Sequence, residues 1–138
     1  MKILAALDQT TSGQAVLEKA ATMAKQNEAQ LEILLVAENF SDIGDVFNAG
    51  DANQKLLNNA KNAGENYRKA AEALGVAAKV SVESGVSPAD IIVKKAENES
   101  FDLIVLGRRA KKGLDRFLIG SVATKVTAYA PCSVLVVK

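Results

Sequence analysis

Along the chain, short apolar runs alternate with longer segments whose apolar residues recur every three to four positions. "KILAAL" (2–7) reads as a first strand, the polar cluster "DQTTSG" follows, and Leu17, Ala20, Ala21 and Ala24 then fall at helical spacing. "LEILLVA" (31–37) predicts a second strand, "ENFSDIGDVFNAG" (38–50) a long loop, and the stretch from about Asp51 to Leu74 a helix with Asp51 as N-cap and Gly75 as its stop. "AAKVSVE" alternates as a third strand does. In "SGVSPADIIVKKA" a helix begins with Ser87 as N-cap, Pro88 at the first helical position and Asp90 placed to answer the cap. "DLIVLG" and "CSVLVV" are the fourth and fifth strands. Between them a helix presents Val122, Val126 and Tyr129 on one face.

Strands two, four and five are apolar at successive positions, which is what burial on both faces requires, and the alternating helices supply the cover. The pattern predicts an α/β protein, a three-layer sandwich around a doubly wound parallel sheet. In such sheets a ligand crevice lies beyond the carboxyl ends of the strands, where the winding direction reverses. The loops after strands one and four are therefore the candidate site.

Composition narrows the chemistry. With 138 residues, 49% hydrophobic and 24% charged, one core and a single domain over 1–138 are expected. A net charge of +1 argues against counterion-driven adhesion to nucleic acid or to a membrane surface. No apolar stretch approaches the roughly 20 residues that span a bilayer. Asp8 cuts the first apolar run short of a secretory signal, so a cytoplasmic location is expected. Cys132 is the single cysteine, which leaves neither an intramolecular disulfide nor a thiolate zinc cage, and it reads as a small buried hydrophobe. Histidine is absent, and with it Ser-His-Asp and Cys-His catalysis and imidazole metal ligation. No catalytic residue is assigned.

The stretch "LGRRAKKGLDRFLIGS" (106–121) concentrates glycine and positive charge at the exit of a buried strand. Gly107, Gly113 and Gly120 would let backbone approach an anion closely. Gly120 and Ser121 open a helix, whose free amides and positive end favour phosphate oxygens, and Arg108, Arg109, Lys111 and Lys112 would neutralise the remaining charge. The alternative is purely structural: Gly107 ends the strand, Gly120 shapes the helix start, Ser121 caps it, and the cations form a solvated loop. Neither GxxxxGK(S/T) nor GxGxxG is present, so neither standard phosphate-binding fingerprint decides between the two.

Strand four, "GRRAKKGLDRFLIGSVATKV", the closing "APCSVLVV" and the opening "KILAALD" together resemble the universal stress protein family. Its nucleotide-binding members carry G, two residues, G, nine residues, then G and S or T. The resemblance spans nearly the whole chain. It implies a five-stranded parallel sheet in the order 3-2-1-4-5, of the adenine nucleotide alpha hydrolase-like type, and a homodimer through the last strand, 132–137. It also implies an adenine nucleotide, ATP or else ADP or AMP, with Mg²⁺ accompanying the phosphates. On the matching segments Ala6, Leu7 and Asp8 meet the adenosine part, and Val36 or Ala37 offers backbone atoms to adenine. Leu106 and Gly107 flank the ribose and phosphates, Gly120, Ser121 and Val122 hold the phosphates, and Arg108, Arg109, Ala110 and Ala123 complete the nucleotide-binding set. Asp8 fits either a ribose hydroxyl or an Asx-turn over Thr10 and Thr11; Thr10, Thr11 and Ser12 are read as caps of the first helix.

Two positions depart from the pattern: the middle motif glycine falls on Ala110, and Ala123 stands where many binding members carry a hydroxyl. A left-handed φ at 110 would cost alanine about 1–2 kcal/mol, roughly an order of magnitude in affinity. The leading expectation is a stress-response or signalling protein that binds an adenine nucleotide. Its rival is a nucleotide-free dimeric interaction protein working through its dimer surface and its 38–50 loop. A nucleotidyl transferase or ATP pyrophosphatase would need a glycine-rich signature after strand one or a histidine pair, and the sequence has neither.

Overall fold

The computed structural model describes residues 1–8, 12–38, 49–108 and 120–138. In chain order the elements are β1 (Lys2–Leu7), α1 (Ser12–Asn27), β2 (Gln30–Glu38), α2 (Ala49–Ala73), β3 (Ala78–Gly85), α3 (Pro88–Asn98), β4 (Leu103–Gly107), α4 (Ser121–Tyr129) and β5 (Ser133–Val137). The strands form one parallel sheet in the order β3-β2-β1-β4-β5, as the resemblance implied. Winding runs outward from β1 in both directions, so the reversal falls between β1 and β4.

The period-2 geometry of the central strands divides the interior in two. Ile3, Ala5, Leu7, Ile33, Leu35 and Val105 face α1 and α2 and pack on Leu17, Ala20, Ala21 and Ala24. Leu4, Leu34, Ile104 and Leu106 face α3 and α4 and pack on Ala89, Ile92, Ala96, Ala123 and Val126. Removing this apolar surface from water, at about 25 cal/mol per Å², is the main force joining the three layers.

Local signals set most boundaries. The Ser87 hydroxyl accepts from the Asp90 amide at 3.4 Å, and Pro88 opens α3. The Asp90 carboxylate turns to Lys125 of α4 at 2.9 Å. Ser87→Ala should destabilise the protein by about 0.5–1 kcal/mol, the low end for an N-cap because the bond is long; a urea melt of the two proteins measures it.

Two expectations require correction. α2 begins at Ala49, so Asp51 lies within the first turn rather than at the N-cap, where its charge meets the positive end of the helix. On α4, Tyr129 is 70% exposed. The inward positions are Ala123 and Val126, with Val122 and Ala130 partly buried beside them. Ala130, four residues after Val126, completes the stripe that Tyr129 was expected to continue.

Among the described residues, one buried charged side chain interrupts the apolar core. Glu32, 6% exposed in the middle of "LEILLVA", points toward α3. It receives Lys95 Nζ at 2.7 Å and the Ser81 hydroxyl at 2.8 Å, and Lys95 also reaches Glu99 at 2.6 Å. This cluster lies toward the amino ends of the strands, away from the candidate site.

Candidate nucleotide site at the carboxyl ends of β1, β2 and β4

Register brings the assigned residues to one rim of the sheet. Ala6 pairs with Leu34 on one side and Leu106 on the other, and Leu106 pairs with Val136, so one row crosses β2, β1, β4 and β5. Ala6, Val36, Leu106 and Val122 lie on the α3/α4 face and form an apolar patch continuous with that core. Leu7 and Ala37 belong to the opposite core, so their side chains are spent on packing and backbone is what they present at the rim.

Beyond the last row, the Arg108 amide donates to the Val137 carbonyl at 3.1 Å, which ties the chain leaving β4 to the end of β5. The glycine at 107 has a packing cause: a Cβ there would stand 2.9 Å from Val16 Cγ2 of α1. Close approach of α1 therefore favours glycine here. Half-buried Asp8 follows β1, and its carbonyl accepts from the Tyr67 hydroxyl of α2 at 2.6 Å.

The start of α4 is the most chemically suggestive part of the rim. Gly120 is the N-cap, with φ 57° and ψ 156°, a combination essentially confined to glycine. It carries no side chain to cap the helix, and among the described residues none does so. Ser121 is the first helical residue and is exposed, so it does not act as the cap. Intrahelical bonding begins at Thr124, whose amide and hydroxyl both turn to the Gly120 carbonyl, at 3.0 and 2.8 Å. The amides of Ser121, Val122 and Ala123 thus precede the intrahelical ladder and lie at the positive end of the helix. Ala123 is 2% exposed. Its methyl lies in the core, and only its backbone is available to the rim.

Ala6, Leu7, Asp8, Ala37, Leu106, Gly107, Arg108, Gly120, Ser121, Val122 and Ala123 therefore gather at one end of the sheet. Arg109, Ala110, Lys111, Lys112 and Gly113, together with Thr10, Thr11 and the 39–48 part of the long loop, lie outside the described residues. Tyr67 was missed by the sequence reading, although a lone aromatic in the small and polar α2 was a usable signal. Cys132 is partly buried against the α3/α4 core, and burial together with the nearby Asp102 charge pushes its thiol pKa up, against a reactive thiolate. Among the described residues no three His, Cys, Asp or Glu side chains converge as a metal site, and no helix is long and apolar enough to cross a membrane.

An open parallel sheet whose winding reverses between β1 and β4 defines the doubly wound α/β class, in which the strand ends at the reversal form a crevice. Within that class the chain belongs to the universal stress protein family, whose sequence pattern matches residues 1–138. It is similar to universal stress protein YxiE of Bacillus subtilis (strain 168), at 32% identity over 99% of this chain and 98% of that one. It is also similar to universal stress protein MJ0531 of Methanocaldococcus jannaschii, at 49% identity over 71 residues, a segment covering 51% of this chain and 41% of that relative. Among solved structures, universal stress protein UspA from Lactobacillus plantarum superposes with a TM-score of 0.88, at 24% identity over 100% of this chain and 97% of that one. Two further structures with the same fold, each at 22% identity and TM-score 0.77, are complexes of universal stress proteins. One holds cAMP and covers 100% of this chain and 97% of its own; the other, from Archaeoglobus fulgidus, holds dAMP and covers 100% and 98%.

Proposed function

We propose that this protein binds an adenine nucleotide, ATP or else ADP or AMP, at the rim formed by the ends of β1, β2 and β4 and the start of α4, and that occupancy serves stress response or signalling in the cytoplasm. The start of α4, which no side chain caps among the described residues, carries the reading. Three leading amides at the positive end of a helix, with Gly120 removing any side chain from their path, suit phosphate oxygens. The apolar patch of Ala6, Val36 and Leu106 beside them suits an adenine ring. The cAMP and dAMP complexes of two relatives with this fold support the same assignment.

In this reading Ala6, Leu7 and Asp8 meet the adenosine part, Ala37 offers backbone to the base, and Leu106, Gly107, Arg108, Arg109 and Ala110 flank the ribose and phosphates. Gly120, Ser121, Val122 and Ala123 hold the phosphates, with Mg²⁺ as their counterion. The 1–138 unit works as one domain and signals by occupancy rather than turnover. It pairs as a homodimer through 132–137, because β5 is an edge strand whose Val134, Leu135, Val136 and Val137 are only partly buried.

Thermal melting of nucleotide-stripped protein with ATP, ADP and AMP, with and without Mg²⁺, tests the reading. At a hundredfold excess over Kd the ligand should stabilise the native state by about 2.7 kcal/mol, a rise of several degrees. An unchanged melt at millimolar nucleotide would end it in favour of the nucleotide-free interaction protein.

A further inference from the structure

The hydrogen-bond ladder of β1 reaches Leu35 from Leu7 on one side and Leu106 from Ala6 on the other, and goes no further. Asp8 therefore leaves the sheet at the point where the nucleotide reading brings adenosine against the chain. Here α2, from 59 residues along the sequence, delivers the Tyr67 hydroxyl to the Asp8 carbonyl at 2.6 Å. A partly buried phenol favours an acceptor, and a helix carbonyl or solvent would satisfy it. Tyr67 instead reaches past α1 to the first residue beyond the strand.

The surroundings are shaped around that reach. A Cβ at Gly13, in the first turn of α1, would collide with the Tyr67 hydroxyl and stand 2.8 Å from its Cζ and 2.9 Å from the Asp8 carbonyl oxygen. Glycine at 13 is therefore a steric condition for phenol and carbonyl to meet. The ring packs against the α1/α2 core, which limits the freedom of its hydroxyl.

We infer that Tyr67 is a positioning residue for the nucleotide site: its hydroxyl fixes the Asp8 carbonyl, and with it the end of β1 that meets the adenosine moiety, while Gly13 leaves room for the contact. The inference rests on the nucleotide reading and adds to it a residue of α2 outside the strand ends and the glycine-rich loop. Because the contact acts on the adenosine side, it should affect AMP and ATP equally and leave the gain from additional phosphates unchanged.

Calorimetric titration of AMP and ATP into the parent, Tyr67→Phe and Gly13→Ala tests this. Tyr67→Phe keeps the ring and removes only the hydrogen bond, and should weaken both ligands by the same factor, about three- to tenfold. Gly13→Ala, which displaces the phenol from the other side, should reproduce the loss if Tyr67→Phe proves too unstable to titrate. A common factor for AMP and ATP in variants whose melts show a fully folded population supports positioning, because partial unfolding would lower both affinities through the native fraction alone. Parent-like affinity in Tyr67→Phe, or a loss confined to ATP, overturns the inference while the nucleotide reading stands. A parent that takes up neither ligand overturns both.

Discussion

Replacing Gly120 with valine should erase the nucleotide-dependent rise in melting temperature while the chain still folds. At φ 57° and ψ 156° a residue with a Cβ is strained by about 1–3 kcal/mol, and β-branching puts valine at the upper end. A domain stable by about 5–15 kcal/mol survives that, so circular dichroism should report an intact α/β spectrum. The strain is relieved by rotating the peptide that precedes Ser121, and this turns the leading amides of α4 away from their common direction. Each amide-to-phosphate hydrogen bond, being charge-assisted, is worth about 1.5–3 kcal/mol, so misdirecting two of them lowers affinity more than a hundredfold. A variant that melts with the parent's ATP-dependent shift would remove α4 from the site.

The resemblance and the strand pattern made the architecture legible for different reasons. Alternating apolar runs and helical stripes are local: β1, β2 and β4 stood out because Leu4, Leu34, Ile104 and their neighbours are buried on both sheet faces, β3 by its alternation, and β5 by its apolar run, although its residues are only partly buried. Strand order is not local. Nothing in the residues of β5 says that it pairs with β4 rather than β3, and only the family resemblance supplied 3-2-1-4-5.

The candidate site was legible only in part. Gly120 and Ser121 stood out by type, yet which of them caps α4 depends on a backbone angle that glycine permits and sequence does not reveal. Tyr67 and Asp8 are 59 positions apart and meet only because α2 packs beside α1 on the same face of the sheet. Tyr129 failed for a simpler reason. Helical spacing names several possible faces, and the small Ala123 and Ala130 let α4 lie closer to the sheet than Tyr129 would.

Glu32 was invisible among its apolar neighbours, and removing its partner should have the largest effect on stability. Lys95→Met leaves a buried carboxylate with the Ser81 hydroxyl and with Lys79, which is 3.7 Å away and mostly exposed. Breaking a buried ion pair from one side costs about 3–5 kcal/mol, because the remaining charge is desolvated without compensation. Replacing both partners by apolar residues, Glu32→Leu with Lys95→Met, should recover most of the loss, since the pair's own desolvation disappears with it.

The pH dependence gives a second readout. Burial pushes the Glu32 pKa up, but hydrogen bonds from Lys95 and Ser81 and the charges of Lys95 and Lys79 outweigh it and hold the carboxyl below its ordinary 4.5. Its contribution is therefore full above pH 4.5 and lost as pH falls through the lowered value. Burial likewise lowers the Lys95 pKa, and hydrogen bonds and charges from Glu32 and Glu99 more than reverse this, raising it above 10.5. That contribution is full below pH 10.5 and lost as pH rises through the raised value. In Lys95→Met burial prevails at Glu32, its pKa moves above the ordinary value, and protonation now favours the folded state. The stability gap between parent and variant should accordingly narrow on acidification. Urea melts of both proteins at neutral pH and near pH 4 measure it, and a gap that stays constant or widens would mean that the Glu32–Lys95 pair does not hold the carboxylate in its charged form.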